Sequence, residues 1–215
     1  LREKIAAELQ PPGGGASGGQ DLQPVIDFLA AMVDDVRGAF SRASQDLADQ
    51  QPAAARQSQT EAMAGLDQLY RAVAPLQPVL QRATQTQEEL VEPSHSRAAA
   101  GQAAYDANEA GDAAERQEWV AGWAAVLAPK AQHELRAAEE ETSPPSVDDD
   151  SAPDAEAQRE ARRGALEKAI EVGPRVHELC REAAAELRKD DWAAALPTQE
   201  EALRLLKEIR ESLPP

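Results

Sequence analysis

Apolar positions recur at three- and four-residue spacing along most of the chain, the period of one face of an α-helix. Between Asp21 and about Asp49 they are Val25, Phe28, Leu29, Met32, Val33, Val36, Phe40, Ala43 and Leu47. Asp49, Gln50, Gln51 and Pro52 interrupt them. Pro52 suits a first helical position, where a missing N–H costs nothing. The helix it opens runs to about Val73, with Met63, Leu66, Leu69 and Val73 on one face. Two long helices joined by a tight turn predict an antiparallel hairpin.

Pro75 and Pro78 punctuate the next start. The pattern predicts a helix over 79–91, broken at Pro93-Ser94-His95, then a small, polar, helix-permissive stretch over 96–110. A turn is expected at Gly111-Asp112. Residues 113–141 read as a helix carrying Trp119, Val120, Trp123, Val126, Leu127 and Leu135, which Pro129 is expected to kink or break. A long helix follows over 155–189, with a disturbance at Gly173-Pro174. Asp190 and Asp191 turn the chain, and 192–213 closes a final hairpin whose inner face holds Ala202, Leu203, Leu206, Ile209 and Leu213.

Two segments lack this period. Residues 1–20 hold a short amphipathic helix (LREKIAAELQ) and a Gly-rich linker from Gly13 to Gly19. A phosphate-binding loop needs Gly-Lys-Ser/Thr at its end, and Gln20 and Asp21 stand there instead. Residues 142–153, TSPPSVDDDSAP, form an acidic Pro/Ser linker in which like charges repel and disorder is expected. The resulting organisation is a helix and linker (1–20), a helical bundle (21–141) with a first hairpin (21–75), the acidic linker, and a second hairpin (154–215) packing on the first block. The chain opens on Leu1, which reads as a piece of a longer polypeptide.

The two hairpins match each other without a gap at an offset of 140, as Leu47 and Leu187 show. Ala53 to Ala55 align with Ala193 to Ala195, Gln59 with Gln199 and Glu61 with Glu201. Ala62 aligns with Ala202, Leu66 with Leu206, Leu69 with Ile209 and Pro75 with Pro215. Turn, apolar face and closing Pro all coincide, which predicts an internal duplication. Within 76–141 the string EAGDAAERQEWVAGW echoes the turn-plus-Gln pattern, a trace of a third, diverged copy.

The second copy, AAAELRKDDWAAALPTQEEALRLLKEI over 183–209, resembles a tetratricopeptide-type hairpin. The matching features are the small or acidic turn, the aromatic Trp192 beside it, and Ala195 and Ala202. The resemblance implies closely packed helices and, where hairpins stack, a peptide-binding groove. No tandem 34-residue period accompanies it, so a bundle is expected rather than a solenoid.

Composition sharpens this picture. Hydrophobic residues make up 42% of the chain but aromatics only 3%, so much of the apolar content is Ala. Ala-rich interfaces bury little area per residue, so the core needs long helices. The fold class expected is all-α: an elongated antiparallel helical bundle built from duplicated hairpins, with no sheet. Asp and Glu number 39 against 22 Lys and Arg, a net charge of −17. That argues against nucleic-acid binding, which needs clustered cations, and against direct binding to an anionic membrane. One Cys excludes an internal disulfide framework and a Cys-rich zinc site. The sequence assigns no compartment.

Few residues stand out as chemistry. His177 and Cys180 share a helical face, the spacing of half a metal site or a Cys–His pair. In the duplication Cys180 takes the place of Phe40, a core position, and His177 that of Arg37, a surface one. Paired carboxylates (Asp34-Asp35, Glu88-Glu89, Glu200-Glu201) read as solvated surface. No nucleophile elbow, dinucleotide fingerprint or zinc-protease motif is present in the sequence, so no enzyme, cofactor or metal is expected. Gln59 with Glu61, and Gln199 with Glu201, recur in both copies and are candidates for bonds across the hairpin or to a partner. Trp119 and Trp123, four apart, with Tyr105 and Trp192, are candidates for core, partner surface or a ligand pocket. The function expected is a non-catalytic interaction or scaffold module that binds a protein partner or self-associates. The alternative is a helical-bundle ligand sensor with its pocket at the Trp pair.

Overall fold

A computed structural model of the chain describes residues 23–100, 107–140 and 152–213. It is all-α, with no strand among the described residues. The helices are α1 (Gln23–Ala48), α2 (Pro52–Val73), α3 (Leu76–Ala100), α4 (Ala107–Glu140), α5 (Ala152–Leu187) and α6 (Trp192–Ser212). The expected leader helix and linker over 1–20, and residues 142–151 of the acidic linker, lie outside the described residues.

Several expected breaks are helix instead. α3 runs through Pro93, α4 through Gly111 and Pro129, and α5 through Gly173-Pro174. An interior Pro forfeits one backbone bond and clashes with the carbonyl four residues back. Pro93, Pro129 and Pro174 are all exposed. Gly173 is a packing device: a Cβ there would lie 3.3 Å from the backbone N of Ala128 on α4. The missing side chain lets α5 press against α4.

The chain divides into two compact units between Val73 and Ala74. This boundary falls inside the 21–141 stretch that the sequence reads as one block. The first unit is the α1–α2 hairpin, and Pro52 opens α2 as its residue type favours. Its seam is narrow because small residues line it: Ala39 and Ala43 on α1, and Ala55 and Ala62 on α2, are all buried. At Gly65 a Cβ would stand 2.6 Å from Val36 Cγ2. Arg42 donates to Glu61 at 2.9 Å and Ser58 to Asp46 at 2.9 Å across the seam.

The second unit is a four-helix bundle. Each of α3, α4, α5 and α6 packs on the next, and α6 closes the ring on α3. Pairs across each seam fix the antiparallel sense: Arg97 and Arg116 of α3–α4 meet Glu109 and Glu89. Across α4–α5, Arg162 meets Glu134 and Arg188 meets Glu118. Lys168–Glu208 ties α5 to α6, and Lys207–Glu88 ties α6 back to α3. These are exposed or half-exposed pairs that orient the helices and contribute at most about 1 kcal/mol each.

The turns α1–α2 and α5–α6 share one backbone geometry. Gln50 and Asp190 both sit in the left-handed region, at φ 58° and 60°. Gln50 N donates to Leu47 O and Gln51 N to Asp46 O, while Asp190 N donates to Leu187 O and Asp191 N to Glu186 O. This is the Schellman closure of a helix end, in which the left-handed residue is usually Gly. A side chain there costs roughly 1 kcal/mol. Gln50→Gly is therefore expected to stabilise the hairpin by about 0.5–1 kcal/mol, read as a raised Tm. Asp190→Gly gains less, because Asp190 Oδ1 accepts from Trp192 Nε1 at 3.0 Å.

Candidate functional site

The apolar face of α1 and α2 that the sequence reads as core is only half used. Ile26, Ala30 and Val36 are buried, Val36 against α2 at Gly65, but Val25, Phe28, Phe40, Leu47, Met63, Leu66 and Val73 are exposed. Among the described residues, the exposed large apolar side chains all belong to this hairpin. Phe40, expected as core, is 44% exposed, and Leu47 is 55% exposed. Two helices can bury only the stripes that face each other: Phe40, Leu47, Met63 and Leu66 flank the seam on one side, and Phe28 lies about 120° around α1 from Phe40, on the other. Phe40, Ala43, Ser44, Leu47, Gln59 and Met63 line a shallow groove of about 430 Å³ with no charged group in its wall.

The positions 140 residues on are covered. Cys180 stands where Phe40 stands, Leu187 where Leu47 stands, Gln199 where Gln59 stands and Leu206 where Leu66 stands, and each is 0% exposed. In the bundle this face of α5–α6 is closed by the α3–α4 hairpin.

At the centre of the bundle lies a polar layer, most of which the sequence reading missed. Gln87 (α3), Gln117 (α4) and Gln199 (α6) are each 0% exposed. Gln117 Nε2 donates to Gln87 Oε1 at 2.8 Å, and Gln199 Nε2 donates to Gln117 Oε1 at 3.0 Å. Gln87 Nε2 donates to the backbone carbonyl of Gln199 at 3.1 Å. Cys180 Sγ, from α5, approaches Gln87 Oε1 at 3.9 Å, so all four helices meet at this layer. Gln199 Oε1 is buried without a hydrogen-bond partner.

The remaining candidates separate. Gln59 is exposed at the groove, unlike Gln199. Glu61 bonds across the hairpin to Arg42, whereas Glu201 pairs along its own helix with Arg204 at 2.7 Å. Hydrogen bonding from Arg204 holds the Glu201 carboxyl below its usual range. Trp123 is buried at 2% exposure with the Arg82 guanidinium 5.0 Å over its ring, while Trp119 is half-buried. Trp192 is buried beside the α5–α6 turn. Tyr105 lies outside the described residues. A second surface depression, of about 900 Å³, is walled by charged residues of α4 and α5, among them Glu139, Arg159 and Arg163.

His177 and Cys180 do not act together. His177 Nδ1 meets the Ala121 carbonyl at 2.9 Å, and Cys180 turns into the polar layer. No group of three or more His, Cys, Asp or Glu side chains suited to a metal occurs among the described residues. No described helix is long and apolar enough to cross a membrane. Burial pushes the Cys180 thiol up to about 12. A thiolate is the reactive form, so the folded protein is expected to resist a thiol reagent at pH 8–9 and to label fully once unfolded. The same shift has a sign for stability. The folded state holds its proton more tightly, so this contribution is complete below about pH 9 and falls as the pH rises toward 12. Rapid labelling of the native protein would refute the buried placement.

Comparison with known protein families, with curated proteins and with solved structures gives no match to this chain.

Proposed function

We propose that this chain is a non-catalytic interaction module whose α1–α2 hairpin docks a helical partner. One observation carries the reading: the hairpin exposes the positions that its counterpart, α5–α6, buries beneath two further helices. An unpaired apolar helix face is the usual receptor for another amphipathic helix. The shared turn geometry and the 140-residue offset support reading the hairpins as duplicated copies, one closed within the chain and one left open. The carboxylates support a structural rather than catalytic role. Glu88, Glu89, Glu200 and Glu201 each pair with a nearby cation or His95.

The test is a titration of the full chain against a fluorescently labelled helical partner, a labelled second copy included. Saturable binding that Phe40→Asp with Leu47→Asp abolishes is the expected result. The reading fails if the chain neither binds a partner nor self-associates, or if binding survives both substitutions.

A further inference from the structure

We infer that the occupant of the open hairpin face is a second copy of the same face, so that two α1–α2 hairpins close a four-helix bundle between two chains. The inference deepens the proposed function and rests on it.

α5–α6 buries Cys180, Leu187, Gln199 and Leu206 under α3–α4, which is itself an antiparallel hairpin. A face of the same register on α1–α2 therefore calls for two antiparallel helices, not one. A second α1–α2 hairpin supplies them at matching length.

Among the described residues the exposed large apolar side chains lie on α1 and α2, so a second copy of the hairpin answers Phe40 and Leu47 in kind. A surface that matches itself gives a closed two-fold pair, with the same patch on both sides. The size agrees. Two helices about 33 Å long and spaced about 10 Å apart offer on the order of 700 Å² per copy, near the ~800 Å² of a stable interface.

Residues 23–73 hold four Arg against seven Asp and Glu, a net −3, while residues 74–215 hold 16 Lys and Arg against 29 Asp and Glu, a net −13. The hairpin itself contributes only −3 of the −17 to a contact between its copies. Its groove wall carries no charge at all. Repulsion between the strongly acidic remainders opposes association, and salt screens it. The dimer is therefore expected to tighten as salt rises, the reverse of an ionic interface.

Sedimentation equilibrium of the full chain tests this. The expected mass at micromolar concentration is twice 23.0 kDa, with a tighter dimer at 1 M than at 0.05 M NaCl. Phe40→Asp with Leu47→Asp is expected to weaken the dimer at least about 100-fold and return the mass to 23.0 kDa with helicity unchanged, because both side chains are already exposed. Asp34→Lys, on the far side of α1, is expected to leave the dimer intact. A chain that stays monomeric to millimolar concentration overturns the inference. So does a dimer that survives the double substitution. If such a monomer binds a different helical partner through Phe40 and Leu47, the second-copy inference fails while the proposed function stands. If it binds nothing, both fail.

Discussion

Replacing Trp123 by Ala is expected to lower the stability of the four-helix bundle by about 3–5 kcal/mol, the upper range for a buried aromatic. The residue is 2% exposed, and its ring also receives the Arg82 guanidinium at 5.0 Å. What places the loss high is the company it keeps. Among the described residues, 20 of the 38 buried apolar positions are Ala. Ala has no side-chain torsion to swing into a hole, so the cavity relaxes poorly and the deleted contacts are not replaced. A core of methyl groups concentrates its stabilisation in the few large side chains it has. Trp119, one turn away and half-buried, is expected to cost less than half as much. Urea unfolding followed by circular dichroism reads both variants. Equal losses at 119 and 123 would show that Trp123 is not the buried member of the pair.

The helices themselves were legible from spacing. Runs such as Met63, Leu66, Leu69 and Val73 admit no strand, and the boundaries of α2 and α6 fall where Pro52 and Asp191 predict. Asp191 caps α6, its Oδ1 accepting from Ala194 N at 2.9 Å. What spacing does not carry is which of two adjacent stripes finds a partner. Phe40 and Ala39 are neighbours and both apolar, yet Ala39 is buried at 3% and Phe40 stands exposed, because close approach of α1 and α2 selects the smaller residue for the seam. Breakers misled for a related reason. Pro93, Pro129 and Gly173-Pro174 weaken an isolated helix, but a bundle that packs both flanking segments holds the helix through them.

The polar layer was readable in phase though not in polarity. Leu76, Leu80, Ala83, Gln87, Leu90 and Ser94 fall at alternating four- and three-residue steps, and so do Trp192, Ala195, Gln199, Ala202, Leu206 and Ile209. Gln87 and Gln199 occupy core positions of otherwise apolar stripes. Gln117 occupies the same phase in α4, between Ala113 and Ala121. A reading by residue type assigns each Gln to the surface, whereas a reading by position assigns each to the interior. Gln59 shows why position alone is also insufficient: it shares the register of Gln199 but lacks covering helices.

Gln117→Ala is expected to cost roughly 3–5 kcal/mol, more than its volume alone requires. Gln117 is the central member of the network. Its loss strips Gln87 Oε1 of the donor at 2.8 Å and Gln199 Nε2 of the acceptor at 3.0 Å, and both partners are 0% exposed. Gln87 Oε1 keeps only the long Cys180 Sγ contact at 3.9 Å, and each group stripped of its short bond costs about 1–3 kcal/mol. Replacing Gln87, Gln117 and Gln199 together by Leu removes every orphan, including Gln199 Oε1, which lacks a partner even in the native chain. That triple variant is expected to be at least as stable as the native protein, so the three substitutions are strongly non-additive. Stability is then not what the layer supplies. Stripes of Ala and Leu at heptad spacing permit neighbouring helices to slide by one repeat with little change in burial. A polar layer at a single level penalises every register but one. The triple variant is accordingly expected to keep its helicity and unfold at higher denaturant while its amide spectrum broadens, as helices exchange between registers. A sharp, native-like spectrum for that variant would assign register to the turns instead.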